Sequence, residues 1–245
     1  MTPTHYTSLK PFRGFFETGM PCLTYHKIGP RPPGVRIKGL YVAESLFARQ
    51  MAELAEAGFS TPAYGRLPAG ENGRTMALTF DDGFLSAFQS GLEPLARHGF
   101  RAMQFLVADR IGQFNEWEVQ LGDVREPLMD AAQVRDWLGA GHEIGAHSLT
   151  HPFLTRVSFR EAREEIFASK KKLEDQFGVA VRHFSYPYGD LNEPIRDLVG
   201  EAGYLTACTT QFGVNTQATP PLELTRIMAR HRSISIKAIK ARLAG

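Results

Sequence analysis

The chain alternates short apolar runs with longer segments of helical period, and this alternation restricts the folds open to it more than any other feature. Apolar residues recur three or four positions apart in the helical segments, which cover residues 43–57, 84–98, 131–138, 158–177 and 193–202. Several of these segments stop at a glycine, the usual residue just past a helix C-terminus. Apolar runs of strand length lie between them, at residues 21–25, 76–80, 102–108, 143–146, 183–186, 205–208 and 224–228.

Strands that alternate with helices predict βα units, a largely parallel sheet and right-handed crossovers. About seven such strands suit a closed or nearly closed barrel, so we predict an α/β fold. The 245 residues, 43% of them hydrophobic, are enough for one large core. We therefore expect a single domain, with residues 1–20 as an N-terminal extension, 21–235 as the barrel domain and 236–245 as a C-terminal helix.

Charge and apolar patterning exclude several classes of partner. The net charge is +2 with both signs interspersed, so there is no basic stripe for nucleic acid. No run of about 18 apolar residues predicts a transmembrane segment, and the N-terminus lacks the pattern of a signal peptide, so we expect a cytoplasmic protein. Cys22 and Cys208 are too few and too far apart for a disulfide framework. They are predicted to be reduced core or near-core thiols.

Two adjacent acids, Asp81 and Asp82, end the apolar run that begins at Met76, and Gly83 follows them. Like charges this close raise each other's pKa unless a cation or a donor compensates, so we expect positive charge beside them. Gly83 allows the chain to turn, and both carboxylates can then reach one site. The alternative is a solvated strand-to-helix turn with an Asp as N-cap.

Other polar residues also lie just past predicted strands, namely His26, Asp109, His147, His151 and Tyr188. In barrels of parallel strands the chemistry collects at the C-terminal strand ends, so these residues are expected to cluster with the acids. His147 and His151 have the i, i+4 spacing of one face of a helical turn. With a neighbouring carboxylate they would form the two-His, one-acid shell typical of catalytic zinc, although two incidental histidines remain the alternative.

Residues 109–127 interrupt the strand–helix rhythm and are long for a simple connection. Loops of this length are often lids or binding loops. Trp117 within it has two interpretations, a ring that stacks on a sugar or a ring that pins the loop to the core.

Three motifs in order resemble the polysaccharide deacetylase family, whose domain is of the nodulation-protein type and which is also called carbohydrate esterase family 4. They are Thr79-Phe80-Asp81-Asp82-Gly83, His147-Ser148-Leu149-Thr150-His151 and Phe184-Ser185-Tyr186-Pro187-Tyr188-Gly189. The family fold is a distorted (β/α)7-type barrel, which agrees with the strand count. The resemblance implies that Asp81 is the general base and that Asp82, His147 and His151 hold a divalent metal, zinc above all. It also implies that the Tyr188 backbone N–H helps to hold the oxyanion while its ring lines the acetyl pocket.

The chain departs from the family pattern at two places. Ser185 stands where the common motif has an Arg that tethers the base, and Arg226 is either its replacement from the last strand or a surface residue. The late Leu-x-His motif, whose His protonates the leaving amine, is not evident, although His231 lies near the right place. The poly-N-acetylglucosamine deacetylases resemble the chain more closely, with an early Tyr-His that matches Tyr25-His26. We therefore predict His26 as the general acid, with His231 as the alternative.

The predicted function is the removal of an N-acetyl group from an amino sugar in a polysaccharide, a lipid-linked sugar or a small glycoside. One alternative is a deformylase of an N-formyl amino sugar on a lipid carrier. Another is a carbohydrate-binding barrel without catalysis, which would not need the intact set of Asp81, Asp82, His147 and His151. The sequence leaves the oligomeric state open.

Overall fold

A computed structural model describes residues 3–61 and 74–230. The strands are β1 (Met20–Tyr25), β2 (Lys27–Ile28), β3 (Tyr41–Val42), β4 (Ala77–Phe80), β5 (Met103–Leu106), β6 (Glu143–Ala146), β7 (His183–Ser185), β8 (Thr206–Cys208), β9 (Val214–Asn215) and β10 (Ile227–Met228). The helices are α1 (Arg13–Phe16), α2 (Glu44–Glu56), α3 (Leu85–Arg97), α4 (Glu116–Val119), α5 (Ala131–Gly139), α6 (Phe159–Phe177) and α7 (Glu193–Glu201).

The main sheet has the order β10-β1-β4-β5-β6-β7-β8, and every neighbouring pair on this path is parallel. The segment 224–228 closes the sheet into a barrel because it pairs with a different strand at each end. Leu224 N donates to Ala207 O of β8 at 2.8 Å, while Ile227 and Met228 pair with β1. This dual pairing explains why β10 is shorter than the strand predicted over 224–228.

The predicted helices α2, α3, α5, α6 and α7 are confirmed to within one residue at each end. Local signals fix several of these ends. Ser158 and Glu161 form a reciprocal capping box at the start of α6, and Gly178 ends that helix in the left-handed conformation. A second capping box, between Asp130 and Gln133, starts α5.

Side chains alternate along the strands between two apolar clusters. Leu23, Tyr25, Leu78 and Phe80 belong to the large cluster that the helices cover, which includes Phe47 of α2 and Trp137 of α5. The alternate positions form a smaller cluster that faces the barrel interior, made of Met20, Cys22, Ala77, Met103, Phe105, Cys208 and Leu224. Cys22 and Cys208 are free buried thiols, as predicted.

The segment predicted as an N-terminal extension packs on the barrel. Tyr6, Phe12 and Phe16 are fully buried in the large cluster, and Tyr6 forms a parallel bridge with Ala229. The predicted C-terminal helix, 236–245, and His231 lie outside the described residues. Among the described helices, none is both long enough and apolar enough to span a bilayer.

A substitution at Gly145 in β6 tests how tightly the barrel interior is packed. A Cβ atom at this position would lie 2.5 Å from the Phe105 ring and 2.9 Å from His183 O, so Gly145→Ala overpacks the interior. We expect it to lower the free energy of unfolding by about 1–3 kcal/mol, measured by urea denaturation. Gly139→Ala is the control because a Cβ there meets nothing within 4 Å. Equal stability of the two variants would contradict this account of the packing.

Candidate active site

The site forms where the interior faces of three strands reach the barrel mouth. His26, Asp81 and His147 follow β1, β4 and β6 directly, at the positions that continue the interior alternation of each strand. Asp82 follows Asp81 and would point outward in a regular strand. Its φ of 74°, followed by φ 83° at Gly83, turns the chain, so that the Asp82 carboxylate also reaches the mouth.

Arg226 supplies the positive charge predicted beside the two acids. Its Nη1 donates to Asp81 Oδ1 at 2.8 Å and its Nη2 to Asp81 Oδ2 at 2.7 Å, and both side chains are 3% exposed. Burial alone would raise the pKa of Asp81, but the charge of Arg226 and the bonds it donates bring that pKa below its usual value. Arg226 is therefore not a surface residue, which decides between the two interpretations that the sequence left open.

The rest of the guanidinium group is held by residues around the barrel interior. Its Nε donates to Thr209 O at 2.8 Å, and Nη2 donates to Ser185 Oγ at 3.0 Å. Nη1 also contacts Thr79 Oγ1 at 3.3 Å. Ser185 thus stands where the family's common motif has an arginine and binds an arginine that arrives from the barrel-closing segment.

Asp82, His147 and His151 form a buried group that could hold a metal ion. One ligand atom from each lies within 4.8 Å of the others, and Asp82 Oδ1 is 3.3 Å from Nε2 of both histidines. Zinc bonds of about 2.0–2.2 Å give tetrahedral ligand–ligand edges of about 3.3–3.6 Å. Asp82 Oδ1 is buried and makes no hydrogen bond with any described residue. The donor set and its spacing therefore fit a divalent cation.

The charges of this group are strongly coupled. Burial would raise the pKa of Asp82, but the two imidazoles beside it bring that pKa well below its usual value. The pKa of His147 is raised, because Asp82 and Asp81 outweigh the effect of burial, whereas burial lowers the pKa of His151. The carboxylate is thus ionised at neutral pH, as a metal ligand requires.

The two histidines are not on one face of a helical turn, so that prediction was wrong. Ser148 has φ 64° and His151 has φ 69°, which are left-handed and break any helix. Ser148 Oγ accepts from His151 N at 3.0 Å, and Glu165 of α6 accepts from the backbone N of Leu149 and Thr150. The segment is an irregular loop whose backbone is held by side chains.

The other predicted site residues have different outcomes. His26 is partly buried, which lowers its pKa, and it lies close enough to Asp82 and Asp81 for their charges to oppose that shift. The ring of Tyr188 stacks on Phe153 at 3.9 Å and reaches the site edge-on to His151 at 4.5 Å. Burial raises the pKa of the Tyr188 phenol to about 12.

Asp109 does not join the cluster, contrary to the prediction from strand ends. Its Oδ1 forms a half-exposed ion pair with Lys172 Nζ of α6 at 2.7 Å. The short 3-10 helix Ala108–Arg110 starts two positions after the last residue of β5. This helix turns Asp109 toward α6 instead of the barrel mouth.

Two buried residues of the site's surroundings were missed by the sequence analysis. Lys27 and Glu118 form an ion pair at 2.6 Å between Nζ and Oε2, and Trp117 next to Glu118 covers the ring of His151. The signal in the sequence was weak, because one Lys after Tyr25-His26 and one Glu in a long loop look like ordinary surface charges.

Comparisons with known proteins agree on one family. The profile of the family described as polysaccharide deacetylase matches residues 68–207. Peptidoglycan-N-acetylglucosamine deacetylase PgdA of Listeria monocytogenes is 27% identical over 172 residues, which are 70% of this chain and 32% of that protein. The chain thus spans about a third of the length of this relative. The putative polysaccharide deacetylase YxkH of Bacillus subtilis is 24% identical over 200 residues, 79% of this chain and 65% of that one.

Solved structures agree on the fold. Deacetylase PplD of Streptococcus pyogenes, solved with acetate, superposes with a TM-score of 0.73 at 20% identity and covers 91% of this chain and 97% of its own. IcaB from Ammonifex degensii superposes with a TM-score of 0.76 at 20% identity, and the match covers 91% of this chain and 96% of IcaB. These neighbours confirm the predicted (β/α)7-type barrel.

Arg226→Met tests the buried ion pair at Asp81. It leaves a buried carboxylate without its cation, which costs about 3–5 kcal/mol of unfolding free energy. In the wild type the folded-state pKa of Asp81 is lowered, so its ionisation stabilises the folded protein at pH values above the pKa of Asp81 in the unfolded chain. In the variant, burial without Arg226 raises the folded-state pKa of Asp81, so its ionisation destabilises the folded protein instead. The stability gap between the proteins should therefore be largest at neutral pH and narrow as pH falls toward about 4.

Arg196→Met is the matched control, since Arg196 of α7 makes only partly exposed ion pairs, with Glu193, Asp197 and Glu223. We expect a change below about 1 kcal/mol with no pH trend. Denaturation of the three proteins from pH 4 to 7 measures both effects, and a gap for Arg226→Met that stays constant across this range would contradict the assigned pairing.

Proposed function

The chain belongs to the polysaccharide deacetylase family, and we propose that it is a metal-dependent hydrolase that removes the N-acetyl group from an amino sugar. The observation that carries this proposal is the buried group of Asp82, His147 and His151 directly beside Asp81, which Arg226 holds by two hydrogen bonds. A sugar-binding barrel without catalysis has no use for such a set of buried ligands and a tethered carboxylate.

Asp82, His147 and His151 would hold the cation, and zinc suits two imidazoles and one carboxylate. When bound, such a cation polarises the amide carbonyl and lowers the pKa of a water molecule. All three ligand side chains are buried, so water is largely excluded around them. Electrostatic effects in a dry site of this kind are much stronger than in water.

Asp81 is the proposed general base. Its carboxylate is ionised at neutral pH because Arg226 lowers its pKa, and each oxygen keeps a lone pair that the guanidinium group does not use. The bidentate pairing also fixes the plane of the carboxylate. One oxygen of Asp81 therefore accepts the proton of the attacking water, and the amide carbon gains the new C–O bond.

His26 is the proposed general acid. It extends β1, which pairs with β4 on the side opposite β5 and β6, so it approaches Asp81 from the side opposite His147. As the C–N bond breaks, an imidazolium at His26 gives its proton to the departing amine nitrogen, which is otherwise a poor leaving group. The products are a free amino sugar and acetate, so atoms and charge balance.

Tyr188 is proposed to hold the oxyanion through its backbone N–H and to line the acetyl pocket with its ring. Its left-handed backbone, φ 60°, and its stack on Phe153 support a fixed position for this residue. Tyr188 is 36% exposed, so part of the residue remains available to a ligand.

The proposed substrate class is an N-acetylated amino sugar in a polysaccharide, a lipid-linked sugar or a small glycoside. The names of two relatives support it, a peptidoglycan-N-acetylglucosamine deacetylase and a peptidoglycan-N-acetylmuramic acid deacetylase. An N-formyl amino sugar on a lipid carrier differs only in the acyl group and is a second arm of the test.

The direct test combines metal content with acyl release. We expect the purified protein to bind about one zinc ion and to release acetate from at least one sugar in a panel of N-acetyl and N-formyl amino sugars. Asp82→Ala should lose most of the zinc and the activity, and Asp81→Asn should keep the zinc while losing about 10²-fold or more in kcat. Release of formate alone would change the acyl group, and zinc-free protein without any release would refute the proposal.

His26→Ala and His231→Ala together test the general acid. Because the reaction needs protonated His26, its rate falls as pH rises through the pKa of that residue. His26→Ala should therefore keep its zinc, lose most activity and lack the basic limb of the kcat/KM profile. His231→Ala should change little. A nearly active His26→Ala beside an inactive, folded and zinc-loaded His231→Ala would reverse the assignment.

A further inference from the structure

Lys27, which directly follows the proposed acid His26, carries a positive charge into the protein interior. Its side chain is 1% exposed, and Nζ lies 2.6 Å from Glu118 Oε2 and 2.7 Å from Glu126 Oε2. The ammonium group also lies over the ring of Phe84, 4.3 Å from its centroid. Phe84, which follows Gly83 in the turn after Asp82, therefore forms part of the wall around the Lys27 ammonium group.

Both carboxylates come from the long loop 109–127. Asn115 links them, since its Nδ2 donates to Glu118 Oε2 and its Oδ1 accepts from Glu126 N, each at 2.6 Å. Tyr41 of β3 donates to the Glu126 carboxylate, and β3 pairs with β2 at Lys27 itself. The charge cluster of Lys27, Glu118 and Glu126, in which Lys27 and Glu118 are buried and Glu126 is partly exposed, thus fastens the loop to the strand that follows His26.

Trp117, the neighbour of Glu118, is the part of this loop that reaches the metal site. Its ring stacks on the ring of His151 with centroids 4.7 Å apart and an angle of 25°. Trp117 packs in an apolar cluster with Phe84, Val107 and Leu128 and is only 7% exposed. With one face on His151 and so little surface free, it is not placed to stack on a sugar.

The two histidines of the metal site are held in different ways. His147 Nδ1 contacts Ser185 O at 2.7 Å, the kind of hydrogen bond that usually orients a metal-binding imidazole. His151 Nδ1 is buried and has no hydrogen-bond partner among the described residues. Its ring is instead confined by the face of Trp117 and the ring of Tyr188.

We propose that Lys27 is a positioning residue whose ion pairs with Glu118 and Glu126 hold Trp117 against His151 and thereby orient this ligand for the metal. The inference rests on the proposed function in that His151 is taken as a ligand. Buried ion pairs add little net stability compared with apolar residues of similar size. What this cluster supplies is geometry, because two carboxylates of one loop converge on a single charge fixed in β2.

The test measures the zinc dissociation constant, by competition with a chelator, in Lys27→Met, Trp117→Ala and the double variant. Loss of a group that orients a ligand weakens metal binding about 10- to 100-fold. We expect about a 10-fold weaker Kd in each single variant and also about 10-fold, not 100-fold, in the double variant. When one residue acts through another, the losses in binding free energy of the two single variants do not add up in the double variant. Losses from two unrelated kinds of structural damage do add up.

Lys172→Met is the matched control. Lys172 holds the beginning of the same loop through its half-exposed ion pair with Asp109, so the change removes a lysine and a loop contact but leaves Trp117 in place. We expect its zinc affinity to equal that of the wild type. Glu118→Gln provides a second variant if Lys27→Met does not fold, with a smaller loss expected because Glu126 still faces Lys27.

Tryptophan fluorescence gives a readout independent of the metal. Trp117 and Trp137 are the two tryptophans of the chain, so the difference between wild type and Trp117→Phe isolates the signal of Trp117. In metal-free Lys27→Met this signal should shift to longer wavelength as the ring loses its buried position. Lys172→Met should keep the wild-type spectrum.

The outcomes separate this inference from the proposed function. If the wild type and Lys172→Met bind no zinc, the metal site fails and the positioning role fails with it. If both bind zinc and Lys27→Met binds it equally well with an unchanged Trp117 signal, only the positioning role is overturned. Additive losses in the double variant would also overturn it.

Discussion

The ion pair between Arg226 and Asp81 is the interaction on which the barrel and its site both depend. Arg226 lies in the segment that closes the barrel, between the bridge of Leu224 to β8 and the pairing of β10 with β1. Its guanidinium group crosses to Asp81 at the end of β4 and is itself held by Thr209 and Ser185. The closing of the sheet and the ionisation of the proposed base are therefore linked through one side chain.

Around this pair, the mouth of the barrel holds several charges in a small buried volume. Asp81 is matched by Arg226, and Asp82 lies between two imidazoles. A second group, in which Lys27 faces Glu118 and Glu126, lies behind the first and reaches it through Trp117. An unpaired buried charge is costly, so each of these groups requires its partners in place.

Backbone strain is also concentrated at the site. In residues 3–61 and 74–230, the non-glycine residues with positive φ are Asp82, Ser148, His151 and Tyr188. Three of them are proposed to bind the metal or the substrate, and Ser148 holds the backbone of His151. Such conformations cost about 1–3 kcal/mol each and persist where the surrounding structure enforces them. Here the barrel and the contacts between α6 and the loop 147–151 enforce these conformations. As a result, the side chains point toward the site, whereas a regular backbone would direct them elsewhere.

The sequence by itself determined the strand–helix alternation, the ends of α2, α3, α5, α6 and α7 to within a residue, and most of the residues that meet at the barrel mouth. It could do so because helical period, glycine stops and polar residues after apolar runs are local signals. The four-residue helices α1 and α4 were not predicted. The tertiary structure alone decided that Arg226 pairs with Asp81, that Asp109 turns away to Lys172, and that His147 and His151 lie on a strained loop. It also decided that Lys27 is buried. These outcomes depend on contacts between residues far apart in the chain, and a lone charge in a sequence looks the same whether it meets solvent or a buried partner.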